Sequence, residues 1–268
     1  MIPEIDLILM LAGAGVVSGF LAGLLGIGGG IVTIPVQFII YNQLGFPQEW
    51  VMHIAIATSL GIIVATNISS VIAHHKKESV DWKVIKDWWW MLAIGAILGA
   101  HFATTLKTAM LVYIFAGLGF SLALKMLLPL DHIKLGDALP TRRPRLLPPF
   151  MIGFLSAVMG IGGGSFSVPY MTLYSVPIQK AVGTAALAGL VISVGGGLGY
   201  VVSGFSVPGL PQGTLGFLHM PSLIIIASAA VILAPLGAKV AHKLSKRALS
   251  IVFGLFIIVA VTRLILAV

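Results

Sequence analysis

The chain contains no cysteine and only eight acidic residues among its 268. Without cysteine it has neither disulfides nor thiol chemistry. With so few carboxylates, most of them between apolar runs, it offers no acid/base pair. It also lacks HExxH-type metal spacing and any Ser-His-Asp arrangement. A membrane enzyme is therefore disfavoured, and no catalytic residue, metal or cofactor is expected. Charged residues of both signs make up 9% of the chain, against roughly a quarter in soluble domains. What is present instead is apolar: 58% of residues are hydrophobic and the mean hydropathy is +1.08. Such a chain cannot cover a water-facing surface, and it reads as an all-α polytopic protein of the cell membrane. The net charge of +8 lies between apolar runs, which points to membrane topology and not to nucleic acid. The start, MIPEIDLILM, has Glu4 and Asp6 and no early Lys or Arg, so it reads as a retained helix and not a signal peptide.

Glycine is plentiful, and it clusters. GIGGG occurs at 26–30 and again at 160–164. Residues 19–35 and 153–169 align without a gap, with nine of seventeen positions identical, among them Gly19/Gly153 and Pro35/Pro169. The apolar segments around the motifs repeat in the same order. They fall at 7–25, 31–41, 50–73, 88–106 and 109–128, and at 149–159, 165–175, 181–203, 217–238 and 248–267. The reading is a duplication: a first repeat over 1–128, a polar cytoplasmic linker over 129–148, and a second repeat over 149–268. Segments of about 20 residues are long enough to span a bilayer, whereas those of about 11 after each GGG suit re-entrant pieces. The 7–25 segment is long enough to span alone, so re-entrant and fully spanning arrangements both stand.

Charge orients the halves. The loop after 50–73 carries Lys76, Lys77, Lys83 and Lys86, while its counterpart SGFSVPGLPQGTLG has no charge. At the next turn the bias reverses: Lys107 stands alone in the first half, against Lys239, Lys243, Lys246 and Arg247 in the second. The positive-inside rule then sets the halves upside down to each other, with both termini outside and 14 of 16 Lys and Arg on the cytoplasmic side. Trp50 and Trp88 to Trp90 fall where interfacial anchors are expected.

Inverted repeats with interrupted helices are a recurring build of secondary transporters. Glycine lets the backbone leave helical geometry. In lipid, the freed polar groups are tolerated only against protein or a wet cavity. A helix starting just after GGG aims its free N–H groups and positive end at that cavity, where an anion can bind without a side-chain cation. The expected substrate-lining residues are Gly28, Gly29, Gly30, Gly162, Gly163 and Gly164. Thr33, Ser165 and Ser167 follow, as helix caps or ligands. Pro35 and Pro169 sit in the early turns, where a missing N–H is cheap. Gly15-xxx-Gly19-xxx-Gly23 and Gly95-xxx-Gly99 read as packing positions only. No Lys-Ser/Thr follows either cluster, so neither is a nucleotide loop, and no ATP-binding segment exists in the chain.

The next segments carry matching polar residues, Ala57-Thr58-Ser59 and Gly183-Thr184-Ala185. Thr58 and Thr184 are expected to flank one cavity. Asn67 reads either as interhelical glue or as a ligand contact. His53, His101, His219 and Arg263 are the ionisable residues inside apolar segments, to be read as snorkelling or as proton-coupling groups.

GLLGIGGGIVTIP and AVMGIGGGSFSVP, with the Thr58 and Thr184 stretches after them, resemble the TauE/SafE sulfite exporter family, also called the toluene sulfonate uptake permease family. The resemblance covers most of the chain. It implies a permease for small sulfur-containing or organic anions such as sulfite, sulfoacetate and other sulfonates, commonly exported from the bacterial cytoplasm. Ser165 replaces Ile31 and Tyr170 replaces Val36 between the copies, an inequality that suits an asymmetric anion. The expected partners are the lipid bilayer, a small anionic substrate and a coupling ion, proton or sodium, with the oligomeric state open. A channel or facilitator on the same scaffold, or an importer of sulfonates or small carboxylates, are the alternatives.

Overall fold

A computed structural model describes residues 4–25, 29–128, 134–140, 146–241 and 246–267. Gly28 lies outside the described residues. The first half holds α1 (Glu4–Leu25), α2 (Gly30–Gln43), α3 (Val51–Lys76), α4 (Trp82–Thr104) and α5 (Thr108–Leu127). The second holds α6 (Leu147–Met159), α7 (Gly164–Leu173), α8 (Ile178–Gly204), α9 (Met220–Ala241) and α10 (Lys246–Ile265). Between α8 and α9 stand β1 (Thr214–Leu215) and β2 (Leu218–His219), paired antiparallel as a hairpin. This is a largely helical membrane protein, with α3, α5 and α8 long and apolar enough to cross a bilayer.

The helices end where local chemistry stops them. Gly160 closes α6 with φ of 65°. Its N–H bonds to Ala157 O and that of Ile161 returns to Ser156 O, the Schellman pattern that a left-handed glycine permits. Gly29, at φ 71°, precedes α2. Both α2 and α7 therefore begin at the last glycine of a motif, Gly30 and Gly164, each with its proline inside the helix. Asp81 caps α4 by accepting from the N–H groups of Lys83 and Val84, so part of the charged loop is helical.

Packing is reciprocal. α1 lies along α9, and α6 lies along α4. A Cβ on Gly19 would overlap the Ala230 backbone of α9, and one on Gly153 would overlap Leu92 O of α4. These two glycines occupy aligned positions in the duplicated stretch. Gly15 meets Ile226 and Ala229, while Gly95 and Gly99 meet the Phe150 and Phe154 carbonyls, so the small-residue stripes serve close helix crossing. α3 and α8 pack at the centre and run antiparallel. The start of α3 shares an aromatic cluster with the end of α8, and its far end meets the start of α8 at Ser79 and Gly183.

Several expectations change here. The segment expected as helix from 217 starts at Met220, and the residues before it form the hairpin. α6 begins at Leu147, inside the stretch read as linker. The described part of that linker docks on the end of α7, with Leu135 N–H on Leu173 O and Ser175 Oγ on Gly136 O. Trp89 and Trp90 are exposed, as anchors would be, but Trp88 is only 5% exposed and packs against Tyr170. Trp50 turns inward onto His53 and Phe217. Helical phase decides this, because consecutive tryptophans point about 100° apart.

Candidate functional site

The start of α2 and the turn between α6 and α7 meet against the middle of the α3–α8 pair. A Cβ on Gly30 would lie 2.5 Å from Gly160 O and 2.9 Å from Ile161 Cα and Ile63 Cδ1. The start of α2 is thus seated on the second motif. Ser59 of α3 ties the pair by donating to Gly160 O at 3.0 Å. Its oxygen lies 3.3 Å from Thr33 Oγ1, which in turn donates to Gly29 O at 3.0 Å. Gly160 presses on Ile34 and Ile56. On the other side, a Cβ on Gly163 would stand 3.1 Å from Gly189 N of α8, and one on Gly189 would stand 2.6 Å from Asn67 Nδ2. Absent side chains at Gly30, Gly160, Gly163 and Gly189 are what let three backbones and the Asn67 amide converge.

Chemically, this centre is polar but uncharged. Thr33, Ser59, Asn67, Ser165, Ser167 and Ser193 are buried there or on the flanking helices, and no Asp, Glu, Lys or Arg is buried among the described residues. Ser193 donates to Gly189 O at 2.6 Å. The hydroxyls of Ser167 and Ser156 are buried without a hydrogen-bond partner. A buried hydroxyl left unpaired is costly, and such an orphan calls for an explanation. Ser165 and Ser167 are two residues apart on α7 and do not share a face. Both α2 and α7 start in this region, each leaving first-turn N–H groups without intrahelical acceptors and a positive helix end. Gly162 and Gly164 flank Gly163 in the same turn.

Thr58 and Thr184 are not brought together. Thr58 Oγ1 accepts the His219 N–H at 3.1 Å, and Thr184 Oγ1 accepts the Asp81 N–H at 2.9 Å. Each pins the chain entering a following helix, α9 or α4, and the antiparallel run of α3 and α8 puts them at opposite ends. Of the expected ionisable residues, His101 and Arg263 are exposed, while His53 is 0% and His219 6% exposed. His53 Nε2 lies 3.0 Å from Leu106 O. His219 sits in the hairpin before α9 begins, and burial pushes its imidazole from 6.5 down to about 4. Among the described residues, no three His, Asp or Glu stand close enough to hold a metal.

Sequence reasoning named Ser59 only as part of a polar stretch, and it missed Gly189 and Gln37. Gln37 is 0% exposed, donates to Tyr41 OH at 3.4 Å and has an unpaired Oε1. Its signal was an amide inside the apolar run IVTIPVQFIIY. Gly189 carried no signal of its own, because one glycine among alanines reads as ordinary packing.

Residues 11–264 match the family described as "Sulfite exporter TauE/SafE". A "Probable membrane transporter protein" of Haemophilus influenzae is 31% identical over 252 residues, covering 94% of this chain and 96% of its own. A probable membrane transporter protein of Methanocaldococcus jannaschii is 27% identical over 258 residues, covering 91% and 92%. The probable membrane transporter protein YdhB of Bacillus subtilis is 27% identical over 193 residues, covering 70% and 76%. No solved structure matches.

Proposed function

Given that this chain belongs to the sulfite exporter TauE/SafE family, a family of membrane transporters, we propose that it is a secondary transporter that exports a small sulfur-containing anion by alternating access. Sulfite or an organosulfonate such as sulfoacetate is the proposed substrate, moved out across the bacterial inner membrane. The observation that carries this reading is the contact of Gly30 with Gly160 and Ile161. It seats the start of α2 against the turn that joins α6 to α7, at a buried place free of side-chain charge. A sulfur oxyanion is a pure acceptor, and backbone N–H groups at helix starts are its natural donors. Ser167 Oγ, buried and unpaired, is the hydroxyl proposed to complete the shell, with Asn67 on the α8 side. Gly29, Gly30, Gly162, Gly163, Gly164, Thr33 and Ser165 form the rest of the proposed site. Thr58 and Thr184 are assigned instead to holding the entries of α9 and α4.

The same reading takes 1–128 and 149–268 as inverted repeats. Its support is the reciprocity of α1 on α9 with α6 on α4, the antiparallel crossing of the equivalent helices α3 and α8, and the equivalent tasks of Thr58 and Thr184. Both termini are then extracytoplasmic. A screen of purified protein by thermal shift against sulfite, sulfoacetate, taurine, sulfate, thiosulfate and short carboxylates tests the substrate class. A selective rise in melting temperature with sulfur oxyanions is expected. A response only to carboxylates, followed by carboxylate flux in proteoliposomes, overturns it.

A further inference from the structure

The hairpin between α8 and α9 is wedged into one end of the α3–α8 pair. Phe217 is 0% exposed. Its ring stacks on His53 at 5.3 Å, tilts against Trp50 at 5.3 Å and meets Tyr200 of α8 edge-on at 6.4 Å. Leu218 seats on Gly61 of α3, and the Gly204 and Gly216 backbones touch at the end of α8. Among the described residues, the opposite end of the pair carries short turns, 77–81 after α3 and 174–177 before α8, and no hairpin. The two ends are therefore closed by different means.

His219 joins this wedge to α9. Ser222 N–H donates to His219 Nδ1 at 3.4 Å, and Ser222 Oγ lies 2.8 Å from the same nitrogen. A backbone N–H can only donate, so Nδ1 is an acceptor and the imidazole is neutral with its proton on Nε2. The ring thus acts as a cap for the first turn of α9. A second proton at Nδ1 would turn this acceptor into a donor pointed at an N–H. It would also put a positive charge at the positive end of a helix. The groups facing the ring are the Tyr41 phenol from α2, the Phe46 ring from the α2–α3 loop, the Ser222 hydroxyl from α9 and the Gln212 backbone just before the hairpin, while the Thr58 hydroxyl from α3 holds the His219 main-chain N–H. Tyr41 is the one titratable group in that set. No buried carboxylate among the described residues compensates an imidazolium.

We propose that His219 is a proton-binding site, and that a proton on Nδ1 breaks the α9 cap and releases the hairpin from the α3–α8 pair. This rests on the transport reading in one respect: release opens the substrate path from that end. The neutral form belongs to the seated hairpin, whose imidazole is held at about 4, while a freed imidazole titrates near 6.5. Protons therefore favour release as pH falls below about 6.5, by about tenfold per pH unit until the seated form itself protonates.

The absence of cysteine makes the test direct. The full chain carrying Leu218→Cys is labelled with maleimide across pH 5 to 8, normalised to Ser206→Cys on the exposed loop to remove thiolate chemistry. Between pH 7.5 and 5.5 a rise of about tenfold in the normalised rate is expected. In His219→Asn, whose amide keeps a cap acceptor and does not titrate here, the rate is expected to be flat. An equal rise in both backgrounds, or no rise in either, overturns the proposal. If Leu218→Cys fails to fold, hydrogen exchange of the 213–219 amides in the cysteine-free chain, with and without His219→Asn, gives the same decision. Labelling needs no substrate. A pH-driven release in a protein that moves no anion refutes the transport reading alone, and anion transport with a pH-independent hairpin refutes this proposal alone.

Discussion

Gly30→Ala adds one methyl group at the point where the start of α2 touches the turn between α6 and α7. The new Cβ would stand 2.5 Å from Gly160 O, whereas ordinary contact begins at 3.4 Å, so the two backbones must part by about 0.9 Å. Ile63 Cδ1 can swing aside, but Gly160 O and Ile161 Cα are backbone, and Gly160 is held by its Schellman bonds, by Ser59 and by Ile34 and Ile56. Overpacking of this kind costs about 1–3 kcal/mol, and loss of the Ser59 bond to Gly160 O adds about 1 kcal/mol. Misplacement near 1 Å costs positioned groups on the order of 10²-fold in rate, so flux through a backbone-lined site is expected to drop at least about tenfold. The matched control is Gly197→Ala in α8, where nothing lies within 4 Å. There alanine is expected to raise stability by about 0.5–1 kcal/mol, as in helix interiors generally, with flux unchanged. The assay is radiolabelled anion efflux from proteoliposomes at matched protein content, with melting temperature read in parallel. Wild-type flux and melting in Gly30→Ala would show that the contact is not tight, and the geometric reasoning would fail with it.

Removing the orphaned hydroxyl in Ser167→Ala is expected to leave melting unchanged or raised by about 1 kcal/mol, yet to weaken anion affinity in equilibrium binding; a variant less stable with unchanged affinity would assign Ser167 to structure. Gly153→Val and Gly19→Val are each expected to lower membrane yield and melting severely, because both push against backbone of a facing helix, and near-wild-type melting of either contradicts the close crossings. Asp81→Ala is expected to cost about 1 kcal/mol through loss of the α4 cap, read by thermal unfolding, with anion affinity unaffected.

Much of this arrangement was legible because hydropathy and glycine speak loudly in a membrane chain. The apolar segments named the ten helices of the described residues, with the widest miss at the start of α4, Trp82 against 88, and the GGG runs fall just before α2 and between α6 and α7. Repeat alignment also put Gly19 and Gly153 in equivalent crossings. What escaped depends on direction and phase. Thr58 and Thr184 look like partners in a linear alignment, but antiparallel helices carry equivalent positions to opposite ends. Trp88 reads like Trp89 until helical rotation turns it toward Tyr170. The hairpin has strands of two residues each, too short for any alternation to appear. The tie between Ser59 and Gly160 spans 101 positions, and nothing local announces it.

The most direct measurement is equilibrium binding of radiolabelled sulfite and sulfoacetate to purified protein, wild type beside Gly163→Leu and Gly13→Leu. Leucine at 163 fills the space against Gly189 and Ile192, whereas nothing lies within 4 Å of a Cβ at Gly13. Saturable binding is expected in the wild type and in Gly13→Leu and is expected to vanish in Gly163→Leu. Undiminished binding in a folded Gly163→Leu protein would contradict the claim that the paired glycine interruptions hold the anion.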